Sequence, residues 1–121
     1  MTTEQKALLF KDLCGRLPHG VKISVNDKVE TLQGINTLDN VVEYDSCLSS
    51  DIEEVKPYLF PLSSMSEEQK EEYDLICSMS MFDMSESDAV KLIDWLNKNH
   101  FDYRGLIPME LAIDATGLNI Y

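Results

Sequence analysis

The chain lacks the features that would place it in a membrane or a secretory compartment. Its first six residues, Met1 to Lys6, contain no basic stretch followed by an apolar one, so we expect no signal peptide. The longest apolar runs, such as residues 7–10, are only about four residues long, and a transmembrane helix needs roughly 20. The sequence therefore predicts no membrane association.

Cysteine is scarce and occurs in no motif. The three cysteines, Cys14, Cys47 and Cys77, form no CxxC pair and are an odd number. A disulfide framework needs paired cysteines at close spacings, and a structural zinc site needs CxxC-type pairs. We therefore expect free thiols in the reducing environment of the cytoplasm.

Motifs for catalysis, metals and cofactors are also missing. The two histidines, His19 and His100, belong to no HExxH pattern. There is no EF-hand loop, P-loop or GxGxxG motif, and no GxSxG motif around a serine. The sequence predicts no catalytic residue, no metal ligand and no cofactor, although it leaves open a small enzyme whose site has no recognisable motif.

Basic residues are nearly absent from the middle of the chain. Between Asp39 and Asp88 there are fourteen acidic residues and two bases, Lys56 and Lys70, so this segment has the formal charge of the whole chain, −12. Such a field repels phosphate backbones and anionic membranes. A basic protein surface is its electrostatic complement; the alternative is that the charge serves solubility alone. We expect no direct binding to nucleic acid.

The apolar pattern predicts one α+β domain over residues 1–121. Thr2 and Gln5 fit a capping box that begins a helix over 3–16. Strict alternation predicts a strand over 20–26, and two further short strands, 29–35 and 41–45, would complete a three-stranded antiparallel meander. Gly34 is expected to mark a bulge or the end of the second strand.

The second half of the chain reads as helical. Capping pairs predict a short helix over 51–56 from Ser50 and a longer one over 67–79 from Ser66, and Ser85 caps a third over 86–99. Between the first two, residues 57–62 are expected to be an irregular apolar connection because they contain two prolines. The apolar segment 101–121 is expected to pack on the sheet, with a strand near 110–114.

Two neighbouring groups of residues are the candidate partner-binding site. The first is the acidic beginning of helix 67–79, which would otherwise only complement the helix dipole and face water. The second is a methionine-rich connection, whose thioethers suit adaptable protein contacts or would otherwise fill the core between two helices. The members of the two groups are Glu67, Glu68, Glu71 and Glu72, and Met81, Phe82, Asp83 and Met84.

Four segments carry a resemblance to known sequences. They read TTEQKALLFKDLCGRLPHGV, KPYLFPLSSMSEEQKEEY, WLNKNHFDYRGLI and LAIDA, and together cover about half of the chain. In these segments the chain resembles uncharacterised small proteins encoded by gut-bacterial phages and mobile elements. The resemblance implies an accessory protein in a bacterial cytoplasm and assigns no activity or site residue.

The expected function is therefore a non-enzymatic interaction with a basic protein. A specific form of this hypothesis is inhibition of a nucleic-acid-binding host factor by mimicry of phosphate charge. Two alternatives remain open at this point: a small enzyme with an unrecognised site, and an oligomeric accessory protein that uses its apolar tail as an interface. The sequence does not give the oligomeric state.

Overall fold

The N-terminal helix forms as the sequence predicts. The computed structural model describes residues 1–44, 48–78 and 86–121. Helix α1 spans Thr3–Arg16, and the Thr2 and Gln5 side chains exchange the two hydrogen bonds of a capping box. A 3-10 turn follows, and Gly20 ends it in the left-handed conformation, with φ +67°, which glycine adopts without steric penalty.

The predicted meander is present as the first part of a larger sheet. Successive antiparallel pairs join β1 (Lys22–Val25), β2 (Lys28–Asn36), β3 (Val41–Tyr44) and β4 (Leu48–Asp51). The pairing of β2 with β3 shifts register at Gly34, which confirms the predicted bulge. The first three strands are those of the sequence analysis, whereas β4 was not predicted.

The sheet has seven strands in the described part of the chain, so the prediction of a three-stranded sheet is wrong. Residues 51–56 do not form a helix, because Asp51 caps only a 3-10 turn and the chain then extends into β5 (Val55–Pro61). Strand β5 pairs antiparallel with β1 and parallel with the short strands β6 (Phe101–Asp102) and β7 (Ile113–Asp114). The apolar connection predicted at 57–62 is therefore an interior strand of the sheet.

Two helices lie between β5 and β6 in the chain. Helix α2 spans Glu67–Ser78 and begins at a second capping box, formed by Ser66 and Gln69. Helix α3 spans Glu86–Lys98, while its predicted cap Ser85 lies outside the described residues. None of the helices described is both long and apolar enough to cross a bilayer.

The core lies where α1, the first strands of the sheet and the C-terminal segment meet. The alternating residues Val21, Ile23 and Val25 are all buried, as their period of two predicts. The C-terminal segment contributes to the same core, which confirms that it packs back on the rest of the fold. The core residues from α1 and from this segment are Leu9, Phe10, Leu13, Leu106, Leu111 and Ala112.

Candidate functional site

Helix α2 brings part of the predicted acidic group together on one exposed face. Glu67, Glu71 and Asp74 are all exposed, and their spacing of four and three residues places them side by side on the helix. With Lys70 they line a shallow depression of about 210 Å³. This group of four residues is called the α2 acidic face below, and its formal charge is −2.

The remaining predicted acids of α2 are placed differently. Glu72 accepts a hydrogen bond from Trp95 Nε1 at 2.9 Å, and the Tyr73 and Trp95 rings lie 6.0 Å apart. Glu72 therefore helps to hold α2 against α3. Glu68 is exposed and does not line the depression of the α2 acidic face.

The methionine-rich part of the predicted site cannot be placed. Met81, Phe82, Asp83 and Met84 lie outside the described residues. Apolar side chains are nevertheless exposed on the neighbouring helices: Leu75 on α2 is 63% exposed and Val90 on α3 is 58% exposed. Acidic and apolar groups are thus both presented on this helical pair.

A buried ion pair that the sequence analysis missed lies at the end of α1. Asp12 and Arg16 are both fully buried, and Arg16 donates from Nε to Asp12 Oδ2 at 2.7 Å and from Nη2 to Oδ1 at 3.2 Å. Arg16 Nη2 also donates to the Phe101 carbonyl at 2.6 Å, which joins α1 to β6. The only hint in the sequence is that the pair is spaced i, i+4 among the buried leucines of α1.

A second arginine completes this buried group. Arg104 Nε lies 3.3 Å from Asp12 Oδ1, and its side chain is 23% exposed. The guanidinium carbons of Arg16 and Arg104 each lie 5.1 Å from the centroid of the Tyr103 ring, within the range of a cation–π contact. Asp12, Arg16, Tyr103 and Arg104 are called the arginine cluster below.

His100 lies near Arg16 in a strained backbone position. Its φ is +61°, and its ring stacks on that of Tyr121 with centroids 3.8 Å apart and planes at 11°. Burial and, to a smaller extent, the positive charges of Arg16, His19 and Lys22 together lower the pKa of His100 from 6.5 to about 4. The imidazole is therefore neutral at pH 7.

Tyr121 joins the C-terminal segment to the sheet through two hydrogen bonds of its hydroxyl group. Its hydroxyl accepts the Lys22 amide hydrogen at 2.9 Å and donates to the Tyr58 carbonyl at 2.8 Å. Burial raises the pKa of Tyr121 to about 12, so the phenol stays protonated and keeps the hydrogen that it donates.

We expect the titration of His100 to weaken the fold in acid. Because its folded pKa of about 4 is below the ordinary 6.5, its contribution is fully present above pH 6.5 and is lost as the pH falls toward 4. The ring is only half-buried, so the expected loss is about 1–2 kcal/mol after allowance for solvent screening. Urea unfolding of the wild type and His100→Asn at pH 7 and pH 4.5 measures it.

Asparagine is the suitable replacement because it tolerates positive φ and does not titrate. The stability of His100→Asn should fall less between the two pH values than that of the wild type. Equal falls in the two proteins would show that His100 does not titrate between the folded and unfolded states as described.

No three His, Cys, Asp or Glu side chains of the described ranges are grouped so as to hold a metal ion. A cavity of about 110 Å³ lies beside Phe60 and Phe101, and its other lining residues are Ser64 and Gln69. Neither this cavity nor the depression on α2 is lined by a histidine.

No protein-family model, no curated protein and no solved structure matches the chain.

Four segments of the chain, residues 2–21, 56–73, 95–107 and 111–115, are neighbours in space. Arg16 of the first segment donates to the carbonyl of Phe101 in the third. Phe60 of the second pairs with Phe101, and Ala115 of the fourth donates to the carbonyl of Leu59. The segments thus converge on β5 and the arginine cluster, and not on the α2 acidic face alone.

Proposed function

We propose that the protein is a non-enzymatic interaction protein that binds a basic protein partner through the α2 acidic face. The observation that carries the proposal is the alignment of three exposed carboxylates, those of Glu67, Glu71 and Asp74, around the single base Lys70. Complementary charge of this kind steers association and selects partners.

The exposed apolar side chains of α2 and α3 would provide affinity that charged contacts alone do not provide. Charged contacts at the rim of an interface mostly affect the rate of association, whereas affinity depends on apolar groups that become buried. Leu75 and Val90 are more than half exposed and lie on the two helices that form this region. The partner surface would therefore combine basic groups with an apolar spot.

The spacing of the acids supports the more specific form of the proposal, mimicry of a nucleic-acid backbone. A rise of 1.5 Å per residue separates carboxylates at i and i+4 by about 6 Å along the helix axis. Phosphates of one DNA strand repeat every roughly 3.4 Å along the duplex axis, so both surfaces present regularly spaced negative charges a few ångströms apart. In this form the protein is an accessory factor of phage or mobile-element origin that occupies the nucleic-acid site of a bacterial host protein.

Neutralising the α2 acidic face is expected to abolish most of the binding. The triple variant Glu67→Gln, Glu71→Gln, Asp74→Asn removes three rim charges, each contributing roughly 0.2–1 kcal/mol at low salt, so affinity should fall by about 10-fold or more. The assay is capture of basic proteins from a bacterial lysate by immobilised protein, followed by measurement of Kd with the purified partner at low and high ionic strength.

The matched control removes the same charge elsewhere. Asp27→Asn, Glu54→Gln and Glu110→Gln are exposed positions outside α2, so this triple variant has the same net charge and should bind within about 3-fold of the wild type. An equal loss in both variants would mean that net charge, and not this face, drives the binding. Failure to capture any basic protein at low salt would reject the proposal itself.

A further inference from the structure

The arginine cluster has a formal charge of +1, because it contains two arginines and one aspartate. Arg16 and Arg104 both approach the carboxylate of Asp12, at 2.7 and 3.3 Å. Among the described residues, neither guanidinium has an ion pair with any other carboxylate. Asp102 is close in sequence, but its two oxygens accept the amide hydrogens of Leu106 and Ile107. Two cations therefore share one anion inside a chain that is otherwise strongly acidic.

The same cluster contains donors without acceptors. Arg16 Nη1 and Arg104 Nε are buried and have no hydrogen-bond partner among the described residues. The contact of Arg104 with Asp12 is thus a charge contact without hydrogen-bond geometry. Buried N–H groups of charged side chains are almost always satisfied in folded proteins, and a site with several open donors accepts a ligand oxygen readily.

Arg104 brings the cluster to the protein surface. Arg16 is fully buried, whereas the Arg104 side chain is 23% exposed. The Tyr103 ring lies against both guanidinium groups, and its hydroxyl donates to Asn97 Oδ1, which fixes the ring in place. The two arginines are thus held by packing and not by a second carboxylate.

We propose that Arg16 and Arg104 form a binding site for the carboxylate group of a small organic anion, which enters on the exposed side of Arg104. A planar carboxylate matches the fork of a guanidinium, and its single negative charge balances the single excess positive charge of the cluster. A phosphate dianion would leave an excess negative charge beside Asp12. The site is independent of the partner-binding function proposed for the α2 acidic face.

The test compares sodium acetate, inorganic phosphate and sodium chloride at equal ionic strength with the complete protein. The side-chain Nε–H signals of Arg16 and Arg104 are followed by NMR, and thermal unfolding is measured in parallel. Acetate should shift the Arg104 Nε–H signal saturably and, near 100 times its Kd, raise Tm by on the order of 10 °C. Chloride should do neither.

Two variants separate the site from a general salt effect. Arg104→Gln leaves one guanidinium against one carboxylate, so it should fold and lose the acetate response. Lys11→Gln, an exposed position on α1, should keep that response. No saturable shift with acetate in the wild type, or a response that survives Arg104→Gln, overturns the proposal. Phosphate binding as tight as that of acetate overturns the assignment to a monocarboxylate.

Discussion

Asp12→Ala is expected to destabilise the protein by about 3–5 kcal/mol, the usual effect of removing one partner from a buried ion pair. Asp12 and Arg16 are both fully buried, so the Arg16 guanidinium cannot reach water when its carboxylate is removed. Arg104 would then add a second uncompensated charge nearby. Since small domains are stable by only about 5–15 kcal/mol, a large part of the folding free energy should disappear.

Urea unfolding followed by circular dichroism and by the fluorescence of Trp95 measures this loss. The double variant Asp12→Ala, Arg16→Met replaces the pair by apolar groups. It should recover much of the stability, because neither position then holds an unpaired buried charge. A double variant no more stable than Asp12→Ala alone would show that the pair does not act as a unit.

An ion pair between α1 and the 3-10 turn Ile52–Glu54 provides the surface control. Lys6 and Glu53 approach to 3.0 Å, but their side chains are 31% and 48% exposed. Exposed pairs contribute about 0–1 kcal/mol, so Lys6→Ala should change the stability by no more than that. If Asp12→Ala has an effect as small as Lys6→Ala, then water must reach Arg16 in the folded protein.

The features that the sequence predicts well are those decided by neighbouring residues. The capping box of α1 needs only Thr2 and Gln5, and that of α2 only Ser66 and Gln69, and both form as predicted. The alternation from Val21 to Val25 likewise identifies β1 and its buried side. Such patterns act over a few residues, so the rest of the fold cannot change them easily.

Strand β5 shows where local patterns fail. Its two prolines, Pro57 and Pro61, indicate an irregular connection when read alone. In the structure they lie opposite Ile23 and Asp102, near ends of their respective ladders, so that the missing amide hydrogens do not interrupt a long ladder. The partner strands are distant in sequence, and their pairing overrides the local preference for a bend.

The arginine cluster was unpredictable for the same reason. The spacing of Asp12 and Arg16 indicates an ordinary surface pair on a helix. Their burial depends on the Phe101 carbonyl, 85 residues from Arg16, and on Arg104 from the same segment. The acidic face of α2, by contrast, follows directly from the helical spacing of its residues, although the hydrogen bond of Glu72 to Trp95 does not.

The carboxylate of Asp102 is expected to have the second large effect on stability. Its oxygens accept the amide hydrogens of Leu106 and Ile107, both at 2.9 Å, and the residue is only 7% exposed. Asp102→Ala leaves these two donors without that acceptor, and Leu106 is buried while Ile107 is half-buried. An unsatisfied buried N–H costs about 1–3 kcal/mol, so the expected loss is about 2–4 kcal/mol.

Asp102→Asn separates the hydrogen bonds from the packing. The amide has nearly the same shape but only one acceptor oxygen, so it should lose about half as much stability as alanine does. Urea unfolding gives the free energies, and amide hydrogen exchange at Leu106 and Ile107 shows whether the change is local, since exchange there should accelerate more than in β1. If Asp102→Ala changed the stability by less than 1 kcal/mol, water or another acceptor would have to satisfy these amides. The segment after β6 would then be held in place by its remaining contacts, among them that of Arg104 with Asp12 and the burial of Leu111.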